Sequence, residues 1–259
     1  MKTIAIISLL IIAIASIGCT EFKKETKDII EFIKGDEAVK VNGVILKHQT
    51  TDSLAVAYEE EAFALSLNSA DINLQAHKTK QAFLKVTYWE FAPGDAELSL
   101  DGVSIKLFSK SNNPTYISKV EGSLPEAIAL SLASVSGNVS VLDFAGNKEI
   151  EVKSISGELS LQNTSAASLI LETVSGDITA DKLKIADGIY VNSTSGEISI
   201  TASEAKKLSA NTVSGDIIIS SGSYDSTEAN STSGNIDIQS SKIASKQLSS
   251  VSGKITQSN

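Results

Sequence analysis

The clearest pattern in the chain is an alternation of apolar and polar residues around a Ser-Gly pair, as in NTVSGDIII from Asn211 to Ile219. An aliphatic residue lies two positions after each such glycine and, in six of seven copies, four positions after it. A period of two predicts strands that turn one face inward. Seven glycines, 19 or 20 residues apart, close the phrase: Gly137, Gly157, Gly176, Gly196, Gly215, Gly234 and Gly253.

A fixed period of this size, with strand-forming content, is typical of a solenoid. One coil buries too few side chains to offset the entropy that is lost when its residues are ordered, so the coils must stack on one another. The predicted fold class is therefore all-β: a single-chain parallel β-helix of about 19–20 residues per coil. It has seven strict coils and degenerate coils before them.

The columns of the repeat predict the parts of each corner. We expect the glycine to turn the chain at positive φ, a region that only glycine enters without strain. Serines before the glycine, such as Ser136, Ser156 and Ser175, have no histidine nearby and are predicted to be hydrogen-bonding corner residues. The Val, Ile or Thr two positions before the glycine breaks the alternation, so that its direction stays open.

The beginning of the chain predicts export. Residues 3–17 are continuously apolar after Met1 and Lys2. As a helix they reach roughly 22 Å, short of the ~30 Å hydrocarbon core, which favours a signal peptide over a permanent span. The stretch ends in Ser-Ile-Gly-Cys with Cys19, the only cysteine, and this ending resembles a bacterial lipoprotein signal. The resemblance implies that Cys19 is lipidated and anchors the chain to a membrane, although Ser16 departs from the Leu that the pattern prefers.

The predicted organisation has four parts. They are a signal peptide over 1–18, a tether over 19–36 that is in part helical, an irregular β-rich part that caps the β-helix over 37–122, and the regular repeats over 123–259. Within the third part, Asn68 to Gln75 and Gly94 to Gly102 resemble the later phrase with degraded spacing.

The run from Ser123 to Val141 carries a wider resemblance. A Leu-Pro pair precedes the first strict coil, and alternating aliphatic residues lead into [ST]-x-Ser-Gly-[DEN]-[ILV]. Together with the repeats, this is similar to the bacterial putative-adhesin domain family, a domain of otherwise unknown function, over about residues 60–259. The resemblance implies an envelope-exposed, non-enzymatic β-helix and brings no catalytic residue.

Charge and motifs exclude several classes of function. The chain has 31 acidic against 22 basic residues, a net charge of −9, which disfavours a nucleic-acid partner because phosphate binding needs clustered Lys and Arg. The sequence has no nucleophile elbow, phosphate loop, dinucleotide fingerprint or zinc-protease motif. His48 and His77 lie in separate segments and are interpreted as solvated surface residues. We therefore predict no enzyme and no cofactor.

Two groups of residues remain as candidate sites. The column after the glycine contains four acids on consecutive coils, which we interpret as a solvated edge, as a calcium ladder or as carboxylate pairs for glycoside hydrolysis. No aromatic residues accompany these acids to bind a sugar. Tyr88, Trp89 and Phe91 form either a contact patch for a sugar or a protein, or part of a core. The acids are Glu158, Asp177, Glu197 and Asp216, between Asn138 and the pair Asn235 and Lys254.

The sequence as a whole predicts a cell-envelope lipoprotein that acts as a non-enzymatic, adhesin-like binding module on the outer membrane or cell surface. Its partners are the membrane, through Cys19, and an unknown glycan or protein ligand. The alternatives are an envelope scaffold or stress-sensing component that binds partners of its own cell, and a polysaccharide-active enzyme that works from the acidic edge.

Overall fold

The computed structural model describes residues 30–32 and 38–258, and all regular structure among them is β. The predicted signal peptide, Cys19 and most of the tether lie outside the described residues. Where the tether is described, Ile30–Phe32 is a strand, so the expectation of a helix is wrong there. This strand pairs with one strand of a β-hairpin, and Ile30 and Phe32 lie opposite two valines of that strand.

The strands fall into an irregular N-terminal group and a regular series. The first group is β1 (Ile30–Phe32), β2 (Val39–Val41), β3 (Val44–Leu46), β4 (His48–Ala57), β5 (Ala62–Leu67), β6 (Asp71–His77), β7 (Gln81–Glu90), β8 (Ala96–Asp101), β9 (Ser104–Ser109) and β10 (Tyr116–Pro125). The regular series is β11 (Ala129–Ser134), β12 (Val139–Leu142), β13 (Glu149–Ser154), β14 (Leu159–Gln162), β15 (Ser165–Glu172), β16 (Ile178–Asp181), β17 (Lys184–Asn192), β18 (Ile198–Thr201), β19 (Glu204–Thr212), β20 (Ile217–Ser220), β21 (Ser223–Ser231), β22 (Ile236–Gln239), β23 (Lys242–Ser250) and β24 (Ile255–Ser258).

Two sheets that pack face to face form the solenoid, and within the coils their strands pair in parallel. Sheet I has eleven strands in the order β24-β22-β20-β18-β16-β14-β12-β6-β10-β7-β4, and sheet II has eight in the order β23-β21-β19-β17-β15-β13-β11-β5. Each coil adds one strand to each sheet. Ile178, Ile198 and Ile217 pair in register on neighbouring strands and are fully buried. The predicted parallel β-helix is therefore confirmed.

The core lies between the two sheets, where each inward column of the repeat becomes a vertical file. Two positions after the glycine, sheet I contributes one aliphatic file, and five positions before it, sheet II contributes the facing file. Both files are buried because the period of two turns every second side chain inward. Their members are Val139, Leu159, Ile178, Ile198, Ile217 and Ile236 in sheet I, and Leu132, Val152, Leu171, Val191, Ala210 and Ala229 in sheet II.

The repeated glycines serve a different purpose from the one predicted. None of the seven has positive φ. A Cβ at Gly176 would instead lie 1.9 Å from the carbonyl oxygen of Gly157 in the preceding coil, so that glycine is required by the close approach of two backbones. The left-handed conformation occurs six residues after each of the first six glycines, at Asp143, Asn163, Lys182, Ala202, Ser221 and Ser240.

The column two positions before the glycine, which the sequence left open, faces outward. Val213 is 50% exposed and Val251 79% exposed. The other members are partly or fully exposed as well: Val135, Ile155, Val174, Thr194 and Thr232. The alternation breaks here because the chain turns the corner between the two sheets.

One degenerate coil precedes the seven strict ones. Strands β5 and β6 pair in parallel with β11 and β12, and Ile72 lies beneath Val139. In this coil Ala70 stands where the later coils have the repeat glycine. Its carbonyl oxygen lies against Gly137, just as the carbonyl oxygen of Gly157 lies against Gly176. The repeat-like character of Asn68 to Gln75 is thus confirmed.

The chain then leaves the solenoid to cover its first coil. Strand β7 joins sheet I antiparallel to β4 and β10, and its inward residues, including Leu84 and Val86, are buried. Strands β8 and β9 form an antiparallel hairpin whose Val103 carbonyl accepts the N–H of Ala64 on β5. The prediction of a degenerate coil from Gly94 to Gly102 is therefore wrong, because that segment belongs to the hairpin.

At the last described coil, two of the core files become polar. Lys246 stands in the file that holds Leu208 and Thr227, and Gln257 stands in the file that holds Ile238. The Lys246 ammonium donates a hydrogen bond to the Gln257 side chain across the space between the sheets. Polar side chains thus satisfy each other here at two inward positions that Leu208 and Ile238 occupy in earlier coils.

Candidate functional site

A hydroxyl holds each corner of the solenoid, and it is buried in every coil but the last. In one coil, Thr173 Oγ1 accepts the N–H of Gly176 at 3.1 Å, and the Ser175 hydroxyl donates to the Ile155 carbonyl of the preceding coil at 3.3 Å. The prediction that the serines are hydrogen-bonding corner residues is confirmed. The first contact recurs at 2.8–3.1 Å from Ser134, Ser154, Thr173, Ser193, Thr212, Ser231 and Ser250.

The acidic column lies at the solvent edge, and its short members bind the next coil. Asp177 Oδ1 accepts the N–H of Glu197 at 2.8 Å, and Asp216 Oδ1 accepts the N–H of Asn235 at 2.6 Å. Asn138 Oδ1 accepts the N–H of Glu158 in the same way, at 2.9 Å. Aspartate and asparagine therefore cap successive coils, a structural use that the sequence reasoning did not foresee.

Long and short acids alternate along the column. Glu158 and Glu197 are exposed, and their backbone N–H groups donate to the Asn or Asp side chain of the preceding coil. Within residues 30–32 and 38–258, no three His, Cys, Asp or Glu side chains are grouped so that they would hold a metal ion. The calcium ladder of Glu158, Asp177, Glu197 and Asp216 stays a prediction.

The structure does not bring Tyr88, Trp89 and Phe91 together on one surface. Tyr88 is 1% exposed, and its hydroxyl donates to Asp52 Oδ2 at 2.6 Å. Trp89 points to the opposite face of β7 and packs against the buried cluster under the small β1-β2-β3 sheet. Only Phe91 is largely exposed, at 48%. The core interpretation thus fits the first two residues, because successive side chains of a strand point to opposite faces.

Glu90 is a fully buried carboxylate that the sequence gave no reason to single out. Its oxygens accept hydrogen bonds from the Thr50 hydroxyl at 2.5 Å and from the N–H groups of Ala96 at 2.9 Å and Gly94 at 3.2 Å. Burial by itself would raise the pKa of Glu90, but these hydrogen bonds outweigh it and lower the pKa. The ionised carboxylate therefore ties the end of β7 to the start of β8.

The two histidines lie apart. His48 is exposed, as predicted. His77 is only partly exposed: its Nδ1 accepts the N–H of Thr79 at 3.1 Å, and its ring centroid lies 5.5 Å from that of Phe83. Both belong to the N-terminal strands, His48 to β4 and His77 to β6.

The outer face of sheet II carries an amide ladder that the sequence reasoning missed. Asn211 Nδ2 donates to Asn192 Oδ1 at 3.1 Å, and Asn230 Nδ2 donates to Asn211 Oδ1 at 3.0 Å. Beside the ladder stands Tyr190, 38% exposed. The sequence contained a signal for this ladder, because the three asparagines all lie four positions before a repeat glycine. Residues of that column face outward and lie in register on neighbouring strands.

Ion pairs occupy the same face nearer to the first coils. Lys153 Nζ lies 2.6 Å from Glu151 and 3.3 Å from Glu172. Partial burial by itself would lower the pKa of Lys153, but the two carboxylates raise it by hydrogen bonding and charge. The face therefore changes along the axis from paired charges to amides and an aromatic ring.

A groove of about 460 Å³ lies along the first halves of the long strands of sheet II. Ala166 and Ile185 line its floor, and Lys206 at its rim pairs with Asp187 at 2.8 Å. Its charged groups are mixed in sign and partly neutralise one another, so the groove has no single charge that would select a ligand.

The family model described as Toastrack DUF4097 matches residues 61–259, which spans the first coil and all seven strict ones. The chain belongs to the Toastrack DUF4097 family. The Toastrack match begins at the residue before β5 and leaves the small β1-β2-β3 sheet and β4 outside it.

The fold is also found in a solved structure. A crystal structure of a putative adhesin from Bacteroides fragilis is 15% identical, with a TM-score of 0.55 over 81% of this chain and 97% of that one. A putative adhesin from Parabacteroides distasonis is 16% identical, with a TM-score of 0.49 over 82% and 97%. At these identities the first likeness shows the fold alone. No protein of curated function matches the chain, and the described residues contain no helix suited to crossing a membrane.

Proposed function

We propose that the protein is an exported lipoprotein of the bacterial cell envelope whose Toastrack solenoid acts as a non-enzymatic binding module. The observation that carries the proposal is the outer face of sheet II, where Asn192, Asn211 and Asn230 lie in register on consecutive coils. Such a face offers the same contacts repeatedly to an extended partner. The name putative adhesin, given to the structurally similar protein from Bacteroides fragilis, supports the same class of function.

The chemistry of the acidic side chains favours binding over catalysis. Asp177 and Asp216 accept backbone N–H groups of the next coil, and Glu90 is buried under three hydrogen bonds. A general acid needs a raised pKa, whereas the pKa of Glu90 is lowered. These carboxylates hold the fold together and are poorly placed to exchange a proton with a substrate.

Membrane attachment is tested at Cys19. The Cys19→Ala chain, expressed in a bacterium, should move from the membrane to the aqueous fraction and lose incorporation of labelled palmitate, because no other cysteine is present to accept acyl chains. Ser16→Leu is the matched control: it restores the residue that the lipoprotein pattern prefers and should keep the chain at the membrane. Retention of Cys19→Ala in the membrane fraction would refute lipidation.

Binding is tested separately with the full chain in mild detergent. The chain is probed on arrays of polysaccharides and of matrix proteins, and cross-linking in its own cells detects partners of the envelope scaffold. Reproducible capture on an array supports the adhesin-like function. Capture of envelope proteins in the cell, with no binding on either array, would replace it with the scaffold.

A further inference from the structure

Tyr190 is placed as a platform on the outer face of sheet II. Gly188 lies two residues earlier on the same strand, and a Cβ there would come within 2.8 Å of the Tyr190 hydroxyl. Because no side chain at position 188 lifts the ring, the side chain leans along the strand and its phenol end rests on the backbone. The ring remains 38% exposed, with the Lys207 ammonium 5.7 Å from its centroid.

The amides beside the platform are held in place before any ligand arrives. Besides the ladder bonds, Asn211 Nδ2 donates to the Ser209 hydroxyl at 3.3 Å, and Asn230 Nδ2 donates to Glu228 Oε1 at 3.0 Å. An amide oxygen accepts two hydrogen bonds, so each ladder Oδ1 that takes one from its neighbour has a second position left. Groups that are already ordered lose little freedom on binding, which favours affinity.

The neighbouring coils flank the platform on both sides. Ser168 and Lys207 flank Gly188 in the neighbouring coils, while Ile170 and Ser209 flank Tyr190. Consecutive coils repeat at the spacing of paired strands, about 4.8 Å. Because the ladder amides of Asn192, Asn211 and Asn230 recur at this short, constant interval, the face fits a polymer that is itself a regular repeat.

We propose that this face, the Tyr190 platform with the ladder of Asn192, Asn211 and Asn230, binds a linear polysaccharide. The C–H groups of a sugar ring carry partial positive charge and stack on the negative face of the tyrosine ring. The sugar hydroxyls donate to the open positions of the amide oxygens, and Lys207 turns aside to donate to a hydroxyl oxygen. The inference rests on the proposed binding function and adds to it a class of ligand and a place.

The test is affinity electrophoresis of the full chain in mild detergent, in gels that contain xylan, galactomannan, mixed-linkage glucan or dextran. Retardation at several polysaccharide concentrations gives a dissociation constant. The variants are Tyr190→Ala, which removes the platform, and Tyr190→Phe, which keeps the ring. Phe83→Ala is the matched control, since Phe83 is 43% exposed on β7 of the other sheet. Circular dichroism confirms that each variant is folded.

We expect at least one polysaccharide to retard the chain. Tyr190→Ala should weaken binding about tenfold or more, as for the truncation of a central aromatic anchor. Tyr190→Phe should weaken it less than about threefold, the loss of one exposed hydrogen bond, and Phe83→Ala should leave it unchanged.

Three results would overturn the inference: equal retardation of the wild type and Tyr190→Ala, retardation by none of the polysaccharides, or loss of matrix-protein binding in Tyr190→Ala without any glycan binding. The first leaves the binding module in place and moves its site elsewhere. The last leaves the face in place and assigns it a protein ligand. None of them alters the outcome at Cys19, so the lipoprotein proposal is judged independently.

Discussion

Gly176→Ala tests why the repeat contains glycine. The added Cβ would lie 1.9 Å from the Gly157 carbonyl oxygen, whereas a carbon and a carbonyl oxygen in close contact are about 3.3 Å apart. The two coils would therefore have to separate locally by about 1.4 Å. Hydrogen bonds between these coils, such as the 2.9 Å bond from the Ser175 N–H to the Ile155 carbonyl, do not survive such a displacement.

The expected cost follows from the bonds that break. Two or three coil-to-coil hydrogen bonds contribute about 0.5–1.5 kcal/mol each, and each group that is left buried without a partner adds about 1–3 kcal/mol. We expect Gly176→Ala to lower the free energy of unfolding by roughly 3–6 kcal/mol, a large fraction of the about 5–15 kcal/mol typical of a folded chain.

The assay is urea unfolding of the purified chain, followed by far-ultraviolet circular dichroism. Gly102→Ala is the control: Gly102 has a φ of 55° with no atom within 4 Å of an added Cβ, so the cost is the left-handed strain alone, about 1–2 kcal/mol. Ala202→Gly, at a φ of 49°, relieves such strain and should cost almost nothing. If Gly176→Ala costs no more than Gly102→Ala, the close approach of the coils is not what requires glycine.

Two further substitutions test single contacts within the fold. Thr173→Val removes the buried acceptor of the Gly176 N–H and should cost about 1–3 kcal/mol in urea unfolding, while Thr173→Ser keeps the hydroxyl used in other coils and should cost under about 1 kcal/mol; equal costs would contradict the corner role. Glu90→Gln should lower the melting temperature at neutral pH, with less difference in acid. Because the folded-state pKa of Glu90 is lowered, its carboxylate stabilises the fold above the unfolded value of about 4.3, and this contribution is lost as the pH falls through the folded pKa. Melting curves recorded between pH 3 and pH 7 measure it, and a difference that grows toward low pH would contradict the assignment.

The repeated part of the fold was predictable because its local pattern is also its tertiary pattern. In a solenoid, the residue above Ile178 is the corresponding residue of the next phrase, Ile198, so a column read from the sequence is a file in the structure. Because a sequence column is also a file in the structure, the inward aliphatic residues, the outward acids and the hydroxyls at the corner could all be predicted.

The N-terminal strands were not predictable in this way. Strands β7 to β10 leave and rejoin the solenoid without repeating, so no column indicates which of their faces is buried. The separation of Tyr88 from Trp89 and the burial of Glu90 depend on antiparallel partners that lie about 40 residues away along the chain.

Among the candidate contacts, the sequence by itself determined which residues share a file, and only the tertiary structure decided what each file does. The period placed Asn192, Asn211 and Asn230 in one column, but their amide ladder depends on the distance between stacked strands. The period likewise marked every glycine, but it did not show why glycine is required. For Gly176 the cause is the carbonyl oxygen of Gly157, which lies 19 residues earlier in the chain. A sequence records the order of residues, whereas the approach of two backbones is set by the packing of whole coils.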